Sequence, residues 1–326
     1  MANDRVEKQL DNLKALRSQG LTPETTAALK KALGDRINLI VAKAAQISGE
    51  LQASVLLPEL KAAYERLFEK DKDPQCWGKN ALSKALKDLG VQESAFFLRG
   101  IRHIQNEPVW GGKEDAAAVL RGTCALALVQ CNDVPRDETL RYLVDALTEK
   151  AATVRLDAAT ALQQMGGREV MLLLRLKARA GDLDPRVTGE VLEALLHLEG
   201  PAAVEFVGQF LKSTDDEESD EAALALGASR LPEAFILLKD AWSERKGWRP
   251  TGTLVRAIGV SRLDEAIEFL LELVKQGRPH DADDALQALE LLKGTEELVK
   301  RLELVVAERG DVRVSQVFQE RFVRKE

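Results

Sequence analysis

The sequence predicts an all-α solenoid, in which pairs of helices stack one after another. The first observation is an internal repeat: ALGASRLPEA, from Ala225 to Ala234, returns 32 residues later as AIGVSRLDEA, with seven of ten positions identical. The second is a composition rich in Ala and Leu without long β-branched runs, which favours helices. A period of this length is typical of stacked arrays in which each unit contacts only its neighbours.

The chain begins with a segment, residues 1–34, that predicts an N-terminal helical cap. Its first half carries apolar residues at the helical spacing of three and four: Val6, Leu10, Leu13 and Leu16. Thr22 is expected to be the N-cap of a second helix, because Pro23 and Glu24 follow it in the first turn. We expect this cap to cover the apolar edge of the first repeat.

Residues 35–326 are predicted to form the repeat solenoid, with longer, irregular units up to about residue 150. The predicted helices in this part cover residues 38–48, 51–68, 73–90, 93–105, 113–130 and 136–148. Pro58 is expected to kink or interrupt the second of them. The most irregular connection is the segment NEPVWGG, residues 106–112, and strands are expected to be essentially absent.

After residue 150 the units become regular. The apolar pattern of residues 152–165 recurs from Val187 at the same offsets. An alanine on the first helix of each unit serves as an anchor, at spacings of 31 to 33 residues: Ala161, Ala194, Ala225, Ala257 and Ala288. Further anchors lie upstream, for about eight units in total: Ala44, Ala85 and Ala127.

Turn residues fall between the paired helices, and a closing helix is predicted over 312–323. The expected turns are Gly166-Gly167, Gly200-Pro201, Leu231-Pro232 and Gly294-Thr295. Each combines residues that end one helix and begin the next.

These residues resemble HEAT repeats, and the second half is similar to the shorter subtype named after phycobilisome lyases. That subtype's Asp-Pro and Val-Arg pattern is echoed at 153–155, 184–187 and 311–313, although the units at Glu217 and Pro250 lack the Val-Arg pair. The resemblance covers roughly residues 35–318 and implies a right-handed α-α superhelix. It indicates the fold rather than the function, because the pattern records helix packing.

Charge and composition limit the classes of function. The net charge of −7 argues against wide, sequence-independent binding to nucleic acid, which requires a basic footprint. The charged N-terminus does not read as a signal peptide, and no stretch approaches the roughly 20 apolar residues of a membrane span. The cysteines Cys76, Cys124 and Cys131 form no CxxC pair, which favours a reduced, cytoplasmic setting.

The sequence predicts no catalytic residue, cofactor or metal site. Related HEAT-like hydroxylases bind two irons through adjacent His-Glu pairs, and none of the histidines here, His103, His197 and His280, begins such a pair. Cys124 and Cys131 are seven residues apart and could share a helix face, but no base accompanies them, so buried packing is the expected role. No Gly-rich phosphate-binding loop is present.

The segment WSERKGWR is the strongest local candidate for a partner-binding site. Its candidate residues are Trp242, Arg245, Lys246, Trp248 and Arg249. Trp and Arg are enriched at interaction hot spots, although Trp242 could instead cap the core while the basic residues solubilise the turn. The acidic run at 215–221 has a similar alternative, since it either begins a helix in solvent or contacts a basic partner.

Two further groups of residues are candidates for partner binding. Trp110, in the irregular connection, either fills a gap between repeats or serves as an exposed anchor. Basic residues on second helices could form a ridge on the concave side: Arg99, Arg102, Arg141, Arg175 and Arg179, with Lys239 and Lys275 in addition. The alternative is that these long side chains lie on solvated faces.

Together these features favour a non-catalytic scaffold or adaptor that binds a protein or peptide along the concave surface of the solenoid. The alternatives are a HEAT-like DNA-binding protein or DNA glycosylase, and a chromophore lyase or its partner subunit. A coherent basic groove would favour nucleic acid, a mixed-charge groove would favour protein, and a deep polar pocket would favour an enzyme. The oligomeric state and the identity of the partner do not follow from the sequence.

Overall fold

The structure is a computed structural model that describes residues 2–69, 72–245 and 251–323. Nearly all of its regular elements are helices, which confirms the predicted all-α class. The chain forms two compact units, Met1–Met165 and Gly166–Glu326. No helix among the described residues is long and apolar enough to cross a membrane.

The first unit contains nine α-helices and one β-hairpin among its described residues. The helices are α1 Ala2–Leu16, α2 Pro23–Leu33, α3 Asn38–Glu50, α4 Leu57–Leu67, α5 Trp77–Asp88, α6 Ser94–Ile101, α7 Ala118–Leu128, α8 Arg136–Leu147 and α9 Ala152–Met165. The hairpin consists of β1 Asn106–Val109 and β2 Gly112–Asp115. Short 3₁₀ turns lie at Arg17–Gln19, Ser54–Leu56 and Pro74–Cys76.

The second unit is helical throughout its described residues. Its helices are α10 Arg168–Ala180, α11 Pro185–Glu199, α12 Pro201–Gly208, α13 Asp216–Ser229, α14 Pro232–Arg245, α15 Gly252–Ser261, α16 Asp264–Gln276, α17 Pro279–Glu290, α18 Glu296–Arg309 and α19 Val312–Phe318. A 3₁₀ turn follows α12 at Gln209–Lys212, and a π-helix follows α19 at Gln319–Val323.

The predicted repeat anchors lie at equivalent places. All eight alanines are on the odd-numbered helices α3 to α17, and each is at most 3% exposed: Ala44, Ala85, Ala127, Ala161, Ala194, Ala225, Ala257 and Ala288. The odd-numbered helices are therefore the first helices of each pair, and within each unit their small side chains allow them to stack closely. The even-numbered helices are the second helices.

The repeated decapeptide folds in the same way both times it occurs. In each copy an arginine ends the first helix in the left-handed conformation, Arg230 at φ 54° and Arg262 at φ 56°. Gly227 and Gly259 lie one turn earlier, where the next first helix approaches closely. A Cβ on Gly227 would lie 2.2 Å from the carbonyl oxygen of Ala257. The glycine is thus required by helix packing.

The predicted helix starts are largely confirmed. The Thr22 side chain accepts a hydrogen bond from the Thr25 amide at 3.1 Å and caps α2. The four predicted turns separate α9 from α10, α11 from α12, α13 from α14 and α17 from α18. Pro58 marks a break in the predicted helix 51–68 rather than a kink, because α4 begins only at Leu57 and Pro58 lies in its first turn, where the missing proline amide costs no hydrogen bond.

The expectation that a helix runs through residues 113–130 is wrong, and one short hairpin departs from a chain in which strands were expected to be essentially absent. Residues 106–115 form an antiparallel hairpin, with Val109 paired to Gly112 across the two-residue turn Trp110-Gly111, and α7 begins only at Ala118. Gly111 has φ 93°, which a side chain would disfavour, and Pro108 cannot continue a helix. The hairpin accounts for the extra length of the repeat that contains it.

A separate cap at residues 1–34 stays a prediction.

Candidate functional site

Two of the candidate residues in the WSERKGWR segment, Trp242 and Arg245, are buried. The Trp242 side chain is buried, and its ring centroid lies 5.3 Å from that of Phe269. The Arg245 side chain is also buried and donates a 2.7 Å hydrogen bond to the hydroxyl of Ser219. Desolvation lowers the pKa of Arg245 from its ordinary value. These two residues belong to the core of the second unit.

The remaining candidates in that segment, Lys246, Trp248 and Arg249, lie outside the described residues.

The acidic run at 215–221 begins α13. The Asp215 carboxylate accepts hydrogen bonds from the amides of Glu217 and Glu218 at 2.9 and 3.3 Å, so it is the helix N-cap. Its negative charge also suits the positive end of the helix dipole.

The basic candidates of the first unit each have partners within the chain. Arg99 pairs with the Glu65 carboxylate, and its guanidinium lies 4.3 Å from the Phe68 ring centroid. Arg102 donates to the Tyr142 hydroxyl and lies 5.0 Å from that ring. Arg141 and Asp137 form an exposed ion pair at 3.1 Å one turn apart on α8.

The candidates of the second unit form a more concentrated arrangement on α10 and α12. The guanidinium carbons of Arg175 and Arg179 lie 4.5 and 4.8 Å from the ring centroid of Phe206. Arg175 also donates to the Glu199 carboxylate at 2.9 Å, and Arg179 donates to the side-chain oxygen of Gln209 at 2.7 Å. Two arginines thus hold one aromatic ring between neighbouring second helices.

Exposed leucines flank this arrangement on the same helix. Leu172 and Leu176 are 63% and 67% exposed, and they are one turn apart on α10. We call the surface formed by Leu172, Arg175, Leu176, Arg179 and Phe206 the second-helix patch. Large apolar side chains exposed beside ordered arginines are typical of protein-interaction surfaces.

A groove of about 570 Å³ continues from this patch between α12 and α14. Its lining includes Gln209, which Arg179 contacts, together with Val204, Ile236 and Leu237. Ile236 is exposed, and Gly208 allows Leu237 to approach, since a Cβ there would meet the Leu237 side chain at 2.6 Å. The apolar surface therefore extends over three successive second helices.

The leucines, Phe206 and the α12–α14 groove were not identified from the sequence. A signal for the leucines exists in the run MLLL at residues 171–174 with Leu176 just beyond it. Apolar residues at consecutive positions occupy all sides of a helix, and only one side can face the core. Some of these side chains must therefore be exposed or covered by another molecule.

Trp110 stands at the other extreme of exposure, at 103%. It occupies the tip of the hairpin and fills no gap between repeats. The base of the hairpin is held by Gln105, whose side-chain amide donates to the carbonyl oxygen of Asp73 and to the Glu107 carboxylate, each at 2.7 Å. The hairpin is thus held at its base and exposes the Trp110 side chain at its tip. That Trp110 contacts a partner stays a prediction.

A polar pocket of about 430 Å³ lies beside the base of this hairpin, and its lining includes Asp73, Lys79 and His103. The Asp73 carboxylate accepts hydrogen bonds from the Asn38 side chain and from the amides of Gly78 and Lys79, all at 2.8 to 2.9 Å. Burial lowers the pKa of His103. The hydrogen bonds of the Asp73 carboxylate and the Gln105 side chain mainly join α3, α5 and the hairpin.

The cysteines have the character of buried packing residues. All three thiols are free and buried, and desolvation raises the pKa of Cys76 and Cys124 to about 12 and that of Cys131 to about 11. A thiol with a raised pKa is a poor nucleophile near neutral pH. Within the described ranges, no three His, Cys, Asp or Glu side chains converge in a way that could hold a metal ion.

No protein-family model matches this chain, and no curated protein matches it. Similar solved structures include human deoxyhypusine hydroxylase in complex with glycerol, with 20% identity over 76% of this chain and 88% of that chain, at a TM-score of 0.30. An engineered protein has 17% identity over 98% and 92%, at a TM-score of 0.34. A second has 18% identity over 89% and 96%, at 0.22. Scores this low carry no argument about function.

Proposed function

We propose that this protein is a non-catalytic scaffold that binds a protein or peptide partner through its second-helix patch. The observation that carries the proposal is the exposure of Leu172 and Leu176 beside Arg175 and Arg179, which stack on Phe206. Stacking holds the guanidinium groups in place before a partner arrives. The arginine side chains then lose less conformational freedom when they form hydrogen bonds to a partner.

The charges of the patch favour a peptide over nucleic acid. Arg175 is already paired with Glu199, and on the next second helices Arg301 pairs with Glu268 and Lys275 with Glu308, so the surface has mixed charge. Binding to a phosphate backbone depends on basic side chains whose charge is not matched within the protein. A segment with apolar side chains for the leucines and the α12–α14 groove fits this surface better.

The test uses the tagged full-length protein and its native cell extract. The double variant Leu172→Ser, Leu176→Ser removes exposed apolar surface, so it should retain the helical circular dichroism spectrum and melting temperature. A matched control is Leu304→Ser on α18, where the leucine is 66% exposed. We expect a specific protein to co-purify with the wild type and the control and to be lost with the double variant.

Two outcomes would contradict the proposal. One is a specific partner that the double variant retains as well as the wild type. The other is nucleic acid in the eluate that survives moderate salt, which would support the DNA-binding alternative. The variant Trp242→Ala is unsuitable for this test, because removing a buried Trp destabilises the core by roughly 3–5 kcal/mol.

A further inference from the structure

A second apolar surface lies in the first unit, on the side of the first helices. It is a groove of about 730 Å³ bounded by α1, α3, α5 and α7. Small residues form much of its floor: Ala42 and Gly49 on α3, and Ala81 and Ala85 on α5. A Cβ on Gly49 would lie 3.4 Å from the Cα of Ala85, so the two helices nearly touch beneath the groove.

Larger apolar side chains border this floor. The groove includes Trp77 at the start of α5, Val119 on α7 and Leu10 on α1, and both Trp77 and Val119 are exposed. The lining residues span 39–50 on α3 and 77–88 on α5, a length of about 16 Å for each helix. A floor of small residues with apolar walls, three turns long, suits another helix.

The chain itself shows that this side of α3 accepts an amphipathic helix. Helix α1 packs there with Leu13 buried and Leu10 partly buried against the core of the first unit. The groove continues from the edge of α1 toward α5 and α7, since Leu10 and Lys14 of α1 are part of its lining. A helix from another protein would extend a mode of packing that is already present.

Charged side chains at the rim of the groove determine which charges a bound partner helix should carry. Lys43 on α3 and Lys84 on α5 lie along the two sides of the groove. Lys43 contacts only the neutral Gln46 side chain, at 3.0 Å, and Lys84 makes no hydrogen bond or ion pair with any residue in the described ranges. Both ammonium groups are therefore available to carboxylates of a partner.

The carboxylates in the lining are already neutralised by the chain's own cations. Glu50 pairs with Arg17 and Asp88 with Lys87, each at 2.8 Å. The rim thus presents positive charge on a protein whose net charge is −7. We propose that this groove binds an amphipathic helix of a partner protein, with apolar side chains on the floor and acidic side chains along both flanks.

This proposal is independent of the second-helix patch, which lies in the other unit. It is tested with the full-length protein and a fluorescent, end-capped peptide of about 14 residues, long enough for the roughly 16 Å groove with one turn to spare. The peptide carries Leu along one helix face and Glu on both flanks. A matched peptide replaces every Glu by Lys. Fluorescence anisotropy at low salt measures the affinity of each.

We expect the Glu peptide to bind and the Lys peptide to bind at least about tenfold more weakly, since opposite charges are replaced by like charges. The double variant Lys43→Glu, Lys84→Glu should weaken binding of the Glu peptide by about tenfold. The exposed Lys31 on α2 is outside the groove lining, so Lys31→Glu is the charge-matched control, with a change below about twofold. Ala81→Phe should also reduce binding by filling the floor.

Equal affinity for the two peptides would overturn the proposal, as would unchanged affinity in Lys43→Glu, Lys84→Glu. Because Ala81→Phe could disturb folding, its result counts only with an unchanged circular dichroism spectrum, and the lysine variant tests the proposal without it. Other occupants give distinct results. A dimer in sedimentation velocity that the lysine variant dissociates would assign the groove to a second copy. Binding of laurate, with no binding of either peptide, would assign it to a small amphiphile.

Discussion

Gly227 lies where the first helices of two neighbouring repeats pack closely against each other. A helix interior normally disfavours glycine by about 1 kcal/mol relative to alanine. Here the space for a side chain is occupied by the backbone of α15, with the Ala257 carbonyl carbon 2.8 Å and its Cα 3.0 Å from a would-be Cβ. Backbone cannot rotate away as a flexible side chain can, so the close approach of the two helices depends on the glycine.

We therefore expect Gly227→Ala to lower the free energy of unfolding by about 1–3 kcal/mol, because overpacking outweighs the gain in helix propensity. Thermal or urea unfolding followed by circular dichroism measures it. Gly252→Ala at the start of α15 is the matched control, since the closest atom to its Cβ would be an Asp284 oxygen at 3.5 Å, an ordinary contact. Equal stability of the two variants would show that the helices can separate at little cost.

The β-hairpin is the element that departs most from the helical pattern. Its base is closed by the Ala116 amide, which donates to the Gln105 carbonyl at 2.9 Å, and the Gln105 side chain adds the contacts to Asp73 and Glu107. Next to it, Gln75 and Cys76 both have the left-handed conformation, at φ 58° and 57°. These contacts hold the short turn before α5 in an otherwise unfavourable backbone conformation.

Loss of the Gln105 side chain should loosen this element while the surrounding helices stay folded. We expect Gln105→Ala to remove one of the two donors to the Asp73 carbonyl, the other being the Cys76 amide at 3.2 Å, and to cost about 0.5–1.5 kcal/mol locally. Faster amide hydrogen exchange in residues 106–116, with unchanged protection in α3 and α7, is the predicted result. Trp110→Ala is the control, because a fully exposed side chain makes no packing contact to lose. Equal exchange in both variants would contradict the role of Gln105.

The buried titratable groups of the first unit should make the stability of the protein depend on pH in the alkaline range. Burial raises the pKa of the Cys76 and Cys124 thiols from 9.0 to about 12, and it also raises the pKa of the Tyr64 phenol. These groups keep their protons in the folded state at a pH where the unfolded chain has released them. Their contribution to stability is therefore complete below about pH 9 and is lost as the pH rises toward 12.

We expect the free energy of unfolding to fall between about pH 9 and pH 12, by up to about 1.4 kcal/mol per pH unit for each fully titrating thiol. Urea unfolding at a series of pH values measures this slope under reducing conditions. In Cys124→Ala one such group is absent, so its slope should be shallower even if the variant is less stable overall. An identical slope in the variant and the wild type would show that this thiol does not contribute.

The candidate surfaces illustrate why sites are harder to predict than the fold. Arg175 and Arg179 were identified as basic residues on a second helix, and their stacking on Phe206 arises because α12 packs beside α10. Trp242 was also a candidate because Trp is enriched at interaction hot spots, but its ring packs against Phe269 in the core. Burial of a single aromatic depends on neighbours about 30 residues away in the chain, and local sequence does not contain them.

The sequence alone determined the helical class, the positions of the first helices and most turns of this protein. A recurring 32-residue pattern of Ala, Leu and Gly can be satisfied only by stacking similar helix pairs, and each turn depends on a few adjacent residues. Tertiary structure decided the hairpin at 106–115, the exposure of Leu172, Leu176 and Trp110, and the rim charges of the α3–α5 groove. The physical reason is that exposure and charge pairing arise between residues brought together by packing, whereas helix periodicity and caps are local.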